Sequence, residues 1–142
     1  VSEYGGIIVI NDSYNANPKS MKEALKILSN YKCKGRRFFI IGDMLELGDF
    51  AEPAHKTLGI EITKYSIDYL VTVGELSAHV AKSAVDSGMN KKHIATTSGH
   101  ECAVAFIQKY SRAGDCLLVK GSRGSKMEEV VKRLAVDKLE ND

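Results

Sequence analysis

Tryptophan is absent from the sequence, proline occurs only twice and cysteine only three times. The cysteines, Cys33, Cys102 and Cys116, are odd in number, and no two of them share a CxxC spacing. They therefore point neither to a disulfide framework nor to a thiolate metal site. Cys102 and Cys116 fall in apolar patterns and read as small core residues. Free thiols suit a reducing compartment, so the cytoplasm is the expected location. Charge of one sign is also scarce. The net charge of +2 creates no field that would argue for nucleic acid or a membrane surface as a partner. No apolar run approaches the roughly 20 residues that span a bilayer. The opening Val1-Ser2-Glu3-Tyr4 lacks the basic start and apolar stretch of a secretory leader.

Known phosphate and nucleophile motifs are missing too. There is no GxxxxGK[ST] segment, no GxGxxG after the first strand and no GxSxG elbow. The four histidines, His55, His79, His93 and His100, are dispersed without metal-ligand spacing. Taken alone, the chain offers ligand-binding features but no catalytic set.

What is present is a sequence of 142 residues, 44% hydrophobic and 27% charged, which suits one soluble domain with a real core. Short apolar runs recur at Ile7–Ile10, Phe38–Ile41, Tyr69–Val73 and Cys116–Val119, with a weaker one at His93–Thr97. Continuous rather than alternating apolarity predicts strands buried on both faces of a parallel sheet. Amphipathic stretches lie between them. Met21, Ala24, Leu25 and Leu28 mark a helix from Pro18 to about Tyr31, with Asn17 as its N-cap. Further helices are expected from about Pro53 to Tyr65, from about Leu76 to Gly88, from Ser98 to near Gly114, and from near Ser125 onward. Glu101 and Glu128 each stand three residues after a serine, as in a capping box. The last helix should bury Met127, Val130, Val131 and Leu134. Gly5-Gly6 predicts a two-residue hairpin, which adds an antiparallel strand at the very start of the chain. A strand beginning at residue 1 reads as a chain cut from something longer. The expected architecture is α/β: a Rossmann-like, doubly wound, mostly parallel sheet of about six strands, with helices on both faces.

In such sheets ligands bind beyond the carboxyl ends of the strands. Three strand ends are rich in polar groups: Asn11 to Pro18, Gly42 to Gly48 and Lys120 to Lys126. The first sets Asp12, Tyr14, Asn15 and Asn17 in a strand-to-helix turn. A carboxylate there suits ribose hydroxyls, and flat side chains suit a purine. The same residues are also good turn and cap formers. The third places Lys120 and Arg123 among Gly121, Ser122 and Gly124 at a helix start, a setting for an anion or for solvated cations. The second offers Asp43 and Glu46, which could bind a cation or simply brace the loop.

These three segments, DSYNANPKSM at Asp12–Met21, GDMLELG at Gly42–Gly48 and VKGSR at Val119–Arg123, together resemble the C-terminal domain of bacterial Mur ligases. The pattern is nearest to the members that add D-alanyl-D-alanine. The resemblance implies that residues 1–142 are one domain of a three-domain ligase. The N-terminal domain would hold UDP-N-acetylmuramoyl-tripeptide, and the central one the ATP phosphates and Mg2+. The implied reaction activates a peptide carboxylate as an acyl phosphate, which the amine of D-alanyl-D-alanine then attacks. It further implies that Asp12 contacts ribose, that Tyr14 and Asn15 lie near adenine in a nucleotide turn with Asn17, and that Lys120, Gly121, Ser122 and Arg123 lie near the dipeptide. No catalytic or metal-binding residue would belong to this chain. Alternatives are the equivalent domain of a folylpolyglutamate or cyanophycin synthetase, and a free-standing flavodoxin-like binding module.

Overall fold

The computed structural model of the chain describes residues 1–141. Six strands form one sheet in the order β1-β2-β6-β3-β4-β5. They are β1 (Ser2–Tyr4), β2 (Ile7–Asp12), β3 (Arg37–Gly42), β4 (Tyr69–Val73), β5 (Ile94–Thr97) and β6 (Cys116–Lys120). Strands β2 to β5 and β6 pair in parallel, and β1 lies antiparallel on the edge beside β2. The hairpin between β1 and β2 turns on Gly5 (φ 57°) and Gly6 (φ 81°). Two consecutive positive φ angles are what a type I′ turn needs and what most L-residues resist.

Among the described residues five α-helices cover the faces: α1 (Pro18–Asn30), α2 (Ala51–Ile62), α3 (Ser77–Asp86), α4 (His100–Tyr110) and α5 (Glu128–Asn141). Alternation along the strands divides the core. Phe39, Ile41, Leu70 and Leu118 face α1, α2 and α3, where they meet Leu25, Leu28, Ile62 and Val80. Phe38, Ile40, Val71, Leu117 and Val119 face α4 and α5, where they meet Ile107, Met127 and Val130. The central strands are therefore apolar at most positions, as the uninterrupted runs predict, with Thr72 in β4 and Lys120 at the end of β6 as buried polar exceptions. Met127, Val130, Val131 and Leu134 are buried as expected.

The N-cap of α1 is also as read. Asn17 accepts from the Ser20 N–H at 2.9 Å, and its own N–H donates to Ser20 Oγ at 2.9 Å. Three local expectations fail. Helix α4 starts at His100 with Gly99 as cap, and no Ser98–Glu101 capping box forms. The cause is that β5 runs on through Thr97, whose carbonyl accepts from Gly74, so Ser98 belongs to the turn. Helix α5 starts at Glu128 rather than near Ser125, because Arg123–Ser125 forms a 3-10 turn and Lys126 is left-handed at φ 52°. Ser125 Oγ instead donates to the Ser122 carbonyl at 2.6 Å. Cys102, expected in the core, is exposed, because it falls off the buried stripe of Ala103, Val104 and Ile107.

Candidate functional site

Strand β6 lies between β2 and β3, so the carboxyl ends of these three strands are side by side. All three polar segments leave the sheet there. The connection from β2 crosses over β6 to reach β3, and the chain later returns from β5 to fill the gap. This is the kind of switch point at which open α/β sheets bind ligands.

The register pairs Asp12, the last residue of β2, with Lys120, the last residue of β6. Lys120 Nζ donates to Asp12 Oδ2 at 2.8 Å. The lysine side chain is 4% exposed and the aspartate side chain 45% exposed. Beyond Asp12, Ser13 is buried and donates to Asn11 Oδ1 at 2.6 Å. Tyr14 then projects outward at 73% exposure, and Asn15 is exposed beside it. Asn17 is also exposed, but its carbonyl oxygen Oδ1 is engaged in the cap of α1.

Ser122 ties the three segments together. It is buried. Its Oγ accepts from the Leu45 N–H at 2.9 Å and donates to the Ala16 carbonyl at 3.2 Å. Its own N–H donates to the Asp43 carbonyl at 3.1 Å. Gly121 serves the same closure. A Cβ there would stand 2.5 Å from Ser125 Oγ and 2.6 Å from Met127 Cγ, and Gly42 on the neighbouring strand is equally crowded by Met127. The missing side chains let the start of α5 settle onto the strand ends. Arg123, next along, is exposed and makes no ion pair among the described residues.

In the middle segment, Asp43 Oδ1 accepts from the Ser77 N–H at 2.7 Å. A carboxylate thus caps the start of α3, where the helix dipole favours negative charge. Glu46 is exposed with φ 64°. His55, on α2, is buried and holds this loop down: its Nε2 accepts from the Met44 N–H at 3.0 Å, and its Nδ1 lies 2.6 Å from the Ala51 carbonyl. The pattern assigns the proton to Nδ1. Sequence reasoning did not single out this bridge, since a lone histidine carries no spacing signal. Nor did it foresee that Ser122 links three loops, because its partners lie far away along the chain.

Two surface grooves lie away from these strand ends. One, between α2 and α3, is lined by Glu52, Lys56, His79 and Lys82. In it the Lys56 ammonium, through a hydrogen bond and its charge, holds the Glu52 carboxyl below its usual range. The other, between α1 and α2, is mainly apolar and includes Pro18, Phe50 and Pro53. Among the described residues no group of three or more His, Cys, Asp and Glu is placed to hold a metal ion. No helix in the same span is long and apolar enough to cross a membrane.

The chain is similar in sequence and in fold to known proteins. The UDP-N-acetylmuramoyl-tripeptide–D-alanyl-D-alanine ligase of Bacillus subtilis (strain 168) is 37% identical over 129 residues, covering 91% of this chain and 28% of the ligase. Its counterpart from Escherichia coli (strain K12) is 34% identical over 127 residues, covering 89% of this chain and 26% of that protein. Among solved structures, MurF from Acinetobacter baumannii superposes with a TM-score of 0.83 at 27% identity, over 95% of this chain and 29% of that one. MurF ligase from Thermotoga maritima, in complex with ADP, shares the fold at a TM-score of 0.81 and 22% identity, over 99% of this chain and 31% of that one. The chain thus spans under a third of the length of these relatives. The family model "Mur ligase, glutamate ligase domain" matches residues 1–123, and the chain belongs to that family.

Proposed function

We propose that this chain is the C-terminal, substrate-recognising and closing domain of an ATP-dependent ligase that joins D-alanyl-D-alanine to UDP-N-acetylmuramoyl-tripeptide in the cytoplasm. The observation that carries the reading is the convergence of the three polar segments on adjacent ends of β2, β6 and β3. The names of the curated relatives supply the substrates.

The Asp12–Asn17 turn meets the nucleotide. The half-exposed Asp12 carboxylate can accept from ribose hydroxyls, and the exposed Tyr14 and Asn15 can border adenine. Arg123, exposed and without an ion-pair partner among the described residues, suits the carboxylate of the dipeptide by a forked pair of hydrogen bonds. Gly121 and Ser122 shape that corner from within, through Met127 and the two neighbouring loops. The phosphates of ATP and Mg2+ belong to the central domain, and the tripeptide substrate to the N-terminal one. In the reaction a peptide carboxylate oxygen takes the terminal phosphoryl group of ATP and ADP leaves. The dipeptide amine then attacks the acyl carbon, phosphate departs and the amine loses its proton. Dividing the nucleotide site between domains keeps it open until both substrates are bound, and closure excludes water from the acyl phosphate.

Titration of ATP and then D-alanyl-D-alanine into the isotope-labelled chain tests this reading. Amide shifts are expected at residues 12–18 for the nucleotide and 120–125 for the dipeptide. Shifts confined to other regions would overturn the assignment.

A further inference from the structure

We infer that Lys120 is a positioning residue for Asp12 rather than a ligand contact, and that it acts on recognition of the ribose. This rests on the reading of Asp12 as the ribose contact. The ion pair between Lys120 and Asp12 is asymmetric. The two residues end neighbouring strands and are paired in register, so both stand on the rigid sheet rather than in the loops beyond it. Lys120 is 4% exposed at its side chain, whereas Asp12 is 45% exposed. A buried ammonium with no counter-charge is costly, and Asp12 Oδ2 at 2.8 Å is its ion-pair partner. The lysine therefore cannot reach an incoming ligand without giving up both burial and partner.

Asp12 is placed the other way. Only Oδ2 is engaged by the lysine, and Oδ1 accepts no hydrogen bond among the described residues. One anchored oxygen limits rotation of the carboxylate and leaves the second available to a diol. An aspartate held in this manner loses less conformational freedom on binding than one free to rotate. Arg123 differs in the respect that matters, being exposed and without an ion-pair partner among the described residues.

The test compares the dissociation constants of ATP and 2′,3′-dideoxy-ATP for the intact 142-residue chain and its K120M, D12N and D12N/K120M variants, read from amide shifts. Methionine keeps the unbranched stem, so K120M should fold; its amide spectrum checks this independently. Wild type is expected to prefer ATP over the dideoxy analogue. K120M should weaken ATP about tenfold, in the range of one charge-assisted hydrogen bond, and leave the dideoxy analogue unchanged. The double variant should bind ATP no more weakly than D12N alone. Equal weakening of both nucleotides in K120M would mean that the amine acts on phosphate or on the fold, and the inference would fall. It would fall equally if K120M bound ATP as wild type does. If wild type binds neither nucleotide, or both alike, the ribose reading itself fails and takes this inference with it.

Discussion

At the scale of single residues, identical side chains have opposite fates. Cys102 lies on the outer side of α4 and is exposed, whereas Cys116 is buried at the start of β6. Burial, with the Cys33 thiol as a second influence, pushes the Cys116 thiol up to about 12 from an ordinary value of 9.0. The thiolate is the reactive form, so the native protein should label at Cys102 long before Cys116, and denaturant should abolish the difference. Mass spectrometry of partially alkylated protein checks this order. The same shift has a consequence for stability. The folded state holds the proton more tightly than the unfolded one. Its contribution is therefore complete below about pH 9 and is lost as the pH rises toward 12. The fall in urea midpoint across that window should be shallower in C116V than in wild type. The sequence placed both cysteines in the core because each sits in an apolar stretch. Cys102 falls off the stripe of Ala103, Val104 and Ile107 that α4 buries, and an apolar neighbourhood by itself does not say which face of a helix meets the sheet.

At the scale of elements, local chemistry was legible where every partner lies within a few residues. Asn17, Pro18 and Ser20 specify the start of α1 among themselves. Replacing Asn17 with alanine should cost about 1 kcal/mol. The starts of α4 and α5 were misread because distant strands decide them. Gly74, at the end of β4, holds Thr97 in the sheet, and the Ser122 carbonyl draws Ser125 away from a cap. Gly121 shows the same dependence. Its sequence context suggests room for a ligand, yet the space is taken by Met127 and Ser125. The G121A variant should lose about 1–3 kcal/mol through overpacking, more than N17A. Urea denaturation of the two variants side by side measures both, and a G121A protein as stable as wild type would show that the corner has slack.

At the scale of the whole molecule, the proposed division of labour predicts what the chain does alone. Two packed core layers should let it fold independently. It should nevertheless hydrolyse no ATP and form no amide bond, because the phosphate and metal groups of the reaction are assigned to the other domains. Coupled ADP release and chromatography of the product give the readout, and measurable turnover by the purified chain would refute the assignment. An upstream reading frame carrying GxxGKT would support it. The sequence by itself determined the class of fold, since uninterrupted apolar strands and amphipathic helices have few ways to bury their surfaces other than a covered parallel sheet. It also determined the family, through three polar segments at strand ends. Only the tertiary structure decided that these segments meet. Strand β6 comes last in the chain but inserts between β2 and β3, a choice of order that apolar periodicity does not encode. That insertion sets Lys120 beside Asp12 and Ser122 among three loops. Burial and hydrogen bonding between residues some 75 to 110 positions apart then separate the side chains that can meet a ligand from those that hold them in place.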